Sequence, residues 1–361
     1  MSGHPTKMIS TLTPTPDGRM PYFPALDGVR AYCVLLVTYH HLKKGDHILP
    51  FIDGHLGVDL FFIISGFLIT TLLLRELHFT GRIDLRSFYV RRFFRIIPVY
   101  LFVLAIYILI CQLPSQAEKW IQLKASLPYF LTLTNEYAVR IQESNVFMHT
   151  WSLGVEEKFY LLWPLLFFLL AHTARTRAIV LALGFVAVAI PPFFGFHYLA
   201  IAYFGLLMGC LMAVLLAGPY SPRIFASVAR LPAIVPLALF ALGFYVEYLY
   251  EAGILVFSSC AIVFFIFLLS RPSWLRTAHE WRPIVWLGRR SYSMYLIHVL
   301  ALNVIESKFP ITSGLRAALA LAAAYALAAL AADILYRLIE QPARNRARTW
   351  LTRHHEIPAA I

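Results

Sequence analysis

Ten apolar runs, each near the length needed to cross a lipid bilayer, dominate this 361-residue chain. They lie at about 26–42, 57–74, 96–112, 156–171, 178–191, 197–217, 231–248, 252–270, 284–305 and 314–336. A helix of roughly 17 to 25 apolar residues spans the hydrocarbon core and satisfies its own backbone hydrogen bonds there. The pattern therefore predicts an all-α integral membrane protein, a bundle of about ten transmembrane helices. The runs near 156 and 178 are the shortest. The longest connection is 113–155, in which 125–134 is apolar enough to enter the membrane. Composition agrees: 60% of residues are hydrophobic and 14% are charged, whereas soluble domains average about 25% charged. The expected organisation is a polar N-terminal tail at 1–25, a transmembrane domain at 26–340 and a basic C-terminal tail at 341–361. The N-terminal tail is Pro/Thr-rich and lacks the pattern of a cleaved signal peptide. Cys33, Cys111, Cys210 and Cys260 are isolated in or beside apolar runs and read as small packing residues.

The formal net charge of +12 need not mean a nucleic-acid partner. With a cytoplasmic N-terminus, 22 of the 31 basic residues fall in cytoplasmic segments, counting Arg289 and Arg290 at the inner end of the ninth run, and six in outer loops. This asymmetry is the positive-inside pattern and predicts that both termini are cytoplasmic.

The first run, "LDGVRAYCVLLVTYHHLKKGD", carries Arg30, His40 and His41. Ionisable groups inside lipid are costly and generally face a bundle interior or a water-filled path. Arg30 and His41 are eleven residues apart, which on a helix is about three turns plus 20° and a rise of about 16 Å. They share a face, and His40 is rotated off it by about 80°. The competing reading is a snorkelling arginine with an interfacial histidine.

Matching features occur in other runs. "GHLGVDLFFIISGFLIT" places Asp59 near the outer end and Ser65 about two turns deeper. "MHTWSLGVEEKFYLLWPLL" brings His149, Trp151, Ser152, Glu156 and Glu157 toward the outer face. "RRSYSMYLIHVLALNV" places Tyr295 and His298 three residues apart, a spacing that shares a helix face. His41, Asp59 and Glu156 are thus expected at similar depth, and a histidine beside a carboxylate suits general-base chemistry. Each residue also has a structural reading. Asp59 or Ser152 can cap a helix, Glu156 and Glu157 suit a helix N-terminus, and Trp151 suits an aromatic belt.

The ordered set "LDGVRAYCVLLVTYHH", "GVDLFFIISGFLIT", "FYVRRFFRIIPVY", "TWSLGVEEKFYLLWPLL", "RRSYSMYLIHV" and "YRLIEQPARNRAR" resembles the membrane acyltransferase-3 family of O-acyltransferases over almost the whole chain. The resemblance implies about ten transmembrane helices. It also implies transfer of an acyl group, often acetyl from acetyl-CoA, to a hydroxyl of a carbohydrate or a secondary metabolite. It assigns Arg30 and His41 as the essential pair of the first span, and Arg92 and Arg95 as a cytoplasmic Arg-x-x-Arg pair. Those two arginines lie on the side where CoA is available and are candidates to grip its phosphates; the competing reading is simple positive-inside charge. Some relatives carry a further esterase-like domain. None is expected in this chain, so a second transfer step would need another protein.

The chemistry fits these residues. Attack of a hydroxyl on a thioester requires removal of the hydroxyl proton, and a histidine suits that role. A covalent acyl-histidine is the alternative route. Arg30 stays charged and can hold an anionic part of the donor or stabilise developing negative charge. The sequence carries no P-loop, dinucleotide fingerprint or zinc signature. The expected co-substrate is acyl-CoA, with no tightly bound cofactor or metal. The expected surroundings are a bacterial cytoplasmic membrane, with no nucleic acid, and a homo-oligomer is compatible with the sequence. A transporter or flippase is the rival class, in which the same buried ionisable groups would line a substrate path.

Overall fold

A computed structural model describes residues 22–42, 54–141, 146–170, 173–189, 197–250, 253–309 and 314–354. The described residues are almost entirely helical and contain no strand. The helices are α1 (Pro24–His40), α2 (His55–Thr80), α3 (Leu85–Cys111), α4 (Ala117–Leu131), α5 (Asn135–Ile141), α6 (Trp151–Leu170), α7 (Ala174–Val188), α8 (His197–Ala217), α9 (Ser221–Ala229), α10 (Ile234–Leu249), α11 (Ile254–Ser270), α12 (Trp274–His279), α13 (Arg282–Arg289), α14 (Ser291–Lys308), α15 (Gly314–Leu335) and α16 (Gln341–His354). Over their described residues the apolar runs are largely helical, yet length and apolarity together single out fewer spans. Among the described residues four helices meet both conditions, or five when α9 and α10, which meet at a 98° bend, count as one. Several others fall short for visible reasons. α1 and α11 have 17 residues each, and α6 carries Glu156, Glu157 and Lys158 within its first turns.

The run at 284–305 differs from expectation, because it divides into α13 and α14 at Arg290. Arg290 donates to the Trp286 carbonyl at 3.0 Å and its guanidinium lies 4.3 Å over the Trp286 ring. The α13 turn thus closes on itself, and the apolar window conceals the break. At the C-terminus, residues 318–353 form one continuous helical stretch of 36 residues. That is about 54 Å, well beyond the roughly 30 Å hydrocarbon core. Tyr336–Glu340 forms a π-helical turn within it. Pro342 has no N–H to donate and its ring crowds the preceding carbonyl, so the wider turn absorbs the misfit.

The chain forms two compact units. Among the described residues, the first comprises those within 22–83 and 164–291, and the second those within 84–163 and 292–354. In the first unit α2 packs closely against α8. The contact is built on Gly66 of α2 and the Gly205-x-x-x-Gly209 pair of α8. A Cβ at Gly66 would collide with the Leu206 carbonyl, and one at Gly209 with the Ile63 carbonyl. Small residues at four-residue spacing let two helix backbones approach closely in a membrane, where dispersion contacts rather than water exclusion hold helices together. α1 is clamped at its N-terminal end by α13, where Gly288 abuts the Asp27 carbonyl and Arg289 reaches the Tyr22 hydroxyl at 2.9 Å.

The second unit is organised around a buried aromatic cluster. The rings of Tyr100, Tyr107, Phe130 and His149 surround Phe147 at centroid distances of 4.7–5.6 Å. Tyr100 donates to the Phe130 carbonyl at 2.9 Å, and Asn135 donates to Tyr100 at 3.0 Å and to Thr150. These bonds draw the long connection onto α3. The apolar patch at 125–134 lies mostly in α4, and Leu133 just beyond it has φ of 56°, a left-handed conformation that non-glycine residues adopt sparingly. Its carbonyl accepts from Lys158 at 3.3 Å, and the same ammonium is ion-paired with the buried Glu136.

Candidate functional site

The first unit holds Arg30, His41, Asp59 and Ser65; the second holds Arg92, Arg95, Trp151, Ser152, Glu156, Tyr295 and His298.

In the first unit α1 lies against α2. A Cβ at Gly57 of α2 would come within 2.6 Å of the Cys33 carbonyl and 3.1 Å of the Val37 side chain. Cys33 and Val37 follow Arg30 by three and seven residues, so the face that carries Arg30 is the one applied to α2. His41 is the residue just past the end of α1. Its Nδ1 is 2.8 Å from the Val37 carbonyl oxygen. A carbonyl can only accept, so Nδ1 carries the hydrogen and the lone pair resides on Nε2. This is the tautomer required of a base. His40 turns elsewhere: its ring packs edge-on to His55 at 4.6 Å and to His41 at 5.5 Å. His55 went unnoticed in the sequence, where a histidine at a helix start carries no distinguishing pattern. Asp59 and Ser65 are both buried on α2. Asp59 is one turn beyond His55, on the stretch of α2 whose backbone faces Gly205 of α8.

In the second unit Ser152, Tyr295 and His298 join His149 in one buried network. Tyr295 donates its hydroxyl to the His149 carbonyl. The Ser152 hydroxyl, 2.7 Å from the Tyr295 oxygen, is then the donor of that pair. His298, fully buried, places Nδ1 2.6 Å from the Tyr295 carbonyl and its ring 5.1 Å from that of His149. His149 in turn places Nε2 3.2 Å from the Leu296 carbonyl. The sequence placed Tyr295 and His298 on one helix face, and the helix supplies that. The link to Ser152 across 143 positions is tertiary and had no local signal. Trp151 begins α6. Glu156 accepts from the Tyr160 hydroxyl at 3.1 Å, and Arg92 lies 4.9 Å over the same Tyr160 ring. Arg95 is one turn further along α3. Among the described residues no group of three or more His, Cys, Asp or Glu is arranged to hold a metal ion.

A membrane-type helical protein with these ordered motifs falls into one class: the chain belongs to the acyltransferase-3 family, whose acyltransferase domain matches residues 23–337. Among curated proteins it is similar to "O-acetyltransferase OatA" of Staphylococcus aureus strain NCTC 8325 / PS 47. The identity is 31% over 363 aligned positions, covering 90% of this chain and 58% of that protein. A putative O-acetyltransferase of S. aureus strain COL is 28% identical, with 92% of this chain and 59% of the relative covered. The chain thus spans somewhat under two thirds of the length of these relatives. No solved structure matches it significantly.

Proposed function

We propose that the chain is a membrane O-acyltransferase that moves an acyl group, acetyl by analogy with its relatives, from acyl-CoA to a hydroxyl of a carbohydrate or metabolite acceptor. In this reading about ten helices cross a bacterial cytoplasmic membrane, 26–340 is the acyltransferase domain, and the tails at 1–25 and 341–361 are cytoplasmic. The donor enters from the cytoplasm, where Arg92 and Arg95 bind its phosphates. Arg is suited to this because its planar fork pairs with two phosphate oxygens.

The observation that carries the reading is His41, whose Nδ1–H is committed to the Val37 carbonyl at 2.8 Å. Nε2 takes the acceptor hydroxyl proton as the hydroxyl oxygen attacks the thioester carbonyl. The new C–O bond forms, the C–S bond breaks, and the proton passes to the departing CoA thiolate. The Arg30 guanidinium stabilises the oxyanion in between. Asp59, in the same unit as His41, supplies negative charge that stabilises the imidazolium during transfer, and Glu156 remains a candidate carboxylate of the second unit. Ser65 of the first unit and Trp151 of the second are further pocket candidates, and Ser152, Tyr295 and His298 brace the second unit through their buried network.

The test is product formation by purified protein in detergent, where transport has no meaning. Acyl-CoA and a hydroxyl acceptor should give ester product and free CoA in equal amounts, and His41→Ala should give neither. Unchanged donor and acceptor in the presence of folded wild-type protein would favour a transporter.

A further inference from the structure

The second unit gathers arginines from two helices that are far apart in sequence. The N-terminal half of α3 carries Arg86, Arg91, Arg92 and Arg95, and α16 carries Arg344, Arg346, Arg348 and Arg353. α16 packs alongside α3. The Arg86 guanidinium lies 4.9 Å over the Trp350 ring, which pins one end of the pair. Running back along α16 from Trp350 and forward along α3 from Arg86 brings Arg344 and Arg95 to the same level within about one turn. The like charges of Arg95 and Arg348 both bear on Arg344.

Carboxylates answer the charges of Arg344 and Arg95 incompletely. Glu340, buried at 1% exposure, closes the π-helical turn and accepts from Ser293 at 2.8 Å. Its other oxygen is 3.7 Å from Arg344 Nη1, too long for a hydrogen bond. The Arg344 guanidinium has five N–H donors, and this ion pair uses none of them at bonding distance. No carboxylate among the described residues forms an ion pair with Arg95. Glu157, close enough for its charge to act with that of Arg92, keeps Oε1 buried without a hydrogen-bond partner. Guanidinium groups crowded in this way repel one another unless an anion joins them. Phosphate esters match that demand, since each guanidinium fork pairs with two phosphate oxygens.

We infer that Arg344 of α16 completes a phosphate-binding site with Arg92 and Arg95 of α3. The donor's phosphate esters are then held by two helices, and the basic C-terminal helix belongs to the substrate site. This rests on the donor-binding role proposed above for Arg92 and Arg95. Glu340 acts as a positioning residue: anchored by Ser293, it keeps Arg344 turned toward Arg95. The phosphate source favoured by the cytoplasmic placement of both helices is CoA, and an anionic lipid headgroup offers the same chemistry.

The experiment measures CoA binding by calorimetry to the full chain in nanodiscs of zwitterionic lipid, with S-acetyl-pantetheine as the phosphate-free probe. Arg344→Ala should weaken CoA binding about ten- to hundredfold, as expected for a lost charge-assisted contact. Arg344→Lys should fall in between. Arg346→Ala, about 200° around the same helix, should bind CoA within about twofold of wild type. Pantetheine binding should be unchanged by Arg344→Ala. An equal loss for pantetheine would mean that the variant is merely damaged, and would overturn the inference. Wild-type CoA affinity in Arg344→Ala, with Arg92→Gln/Arg95→Gln weakened, would overturn this inference alone. Wild-type affinity in both variants would remove the donor-site reading as well. In nanodiscs containing anionic phospholipid, a defect confined to lipid retention would reassign the phosphate to the membrane and overturn the donor assignment.

Discussion

The two compact units hold their candidate residues in opposite ways. In the first, His41 stands at the end of α1 with one ring nitrogen fixed by a carbonyl of its own helix. In the second, Ser152, Tyr295, His298 and His149 are buried together and bonded to one another and to backbone carbonyls. His298 is fixed in the same manner through Nδ1, but it is fully buried, whereas His41 is only partly buried at its helix end. A histidine built into an interlocked buried network is constrained by it, and disturbing that network exposes several unsatisfied polar groups at once. Thus a similar set of residue types reads as chemistry in one unit and as architecture in the other. Substitutions should separate rate from stability along that line.

The largest effect is expected at His41. Loss of a general base typically costs about a hundred- to ten-thousand-fold in rate, and His41→Ala should show that loss with unchanged thermal stability. His40→Ala should retain most activity, because its ring is engaged with His55 rather than placed on the Arg30 face. A transfer assay on the two single variants, with melting followed by intrinsic fluorescence, decides the matter. Inactivity only in His40→Ala would mean that the working face of α1 is the one turned to His55.

A smaller and different effect is expected in the second unit. Tyr295→Phe leaves the His149 carbonyl and the Ser152 hydroxyl without their partner, and each buried polar group left unsatisfied costs about 1–3 kcal/mol. The variant should melt at lower temperature, and the folded fraction should retain transfer activity within a fewfold. A Tyr295→Phe protein of native stability that had lost activity would place this network in the chemistry and break the contrast between the units.

The sequence made the helices legible because apolarity over about 20 residues leaves the backbone few other ways to satisfy itself in lipid. It made α1 legible for the same reason, although the helix ends at His40 and His41 is its C-cap, so periodicity alone does not set the direction of the His41 ring. What escaped was everything set by tertiary contact. The division at Arg290 was hidden because Arg289 and Arg290 interrupt a run whose average remains apolar. Lys158 showed no sign in the sequence of its partner Glu136, which lies in the long connection. Ser293 and Glu340 are 47 residues apart, and no spacing rule joins them. His55 showed nothing until its ring met His40. The family motifs pointed to Arg92 and Arg95, whereas Arg344 emerged only from the packing of α16 on α3.

The smallest expected effect concerns how α16 is seated, and it refines the contrast within the second unit itself. Arg86 and Trp350 meet through a guanidinium over an indole ring at 4.9 Å, near the surface, where such contacts contribute about 0.5–1 kcal/mol. Trp350→Leu keeps apolar bulk but removes the ring face, so the melting temperature should fall only slightly. If the Arg344 contact acts through its own guanidinium, donor affinity in Trp350→Leu should stay within about twofold of wild type, against the tenfold or greater loss expected for Arg344→Ala. Six residues separate the two positions, Arg344 is tied locally to Glu340 at 3.7 Å, and the π-helical turn that carries Glu340 is anchored through Ser293 rather than through Trp350. Fraying at the Trp350 end should therefore leave the Arg344 end in place. Equal loss of donor affinity in both variants would show that α16 contributes by its placement as a whole, with Arg344 serving the helix rather than the phosphate.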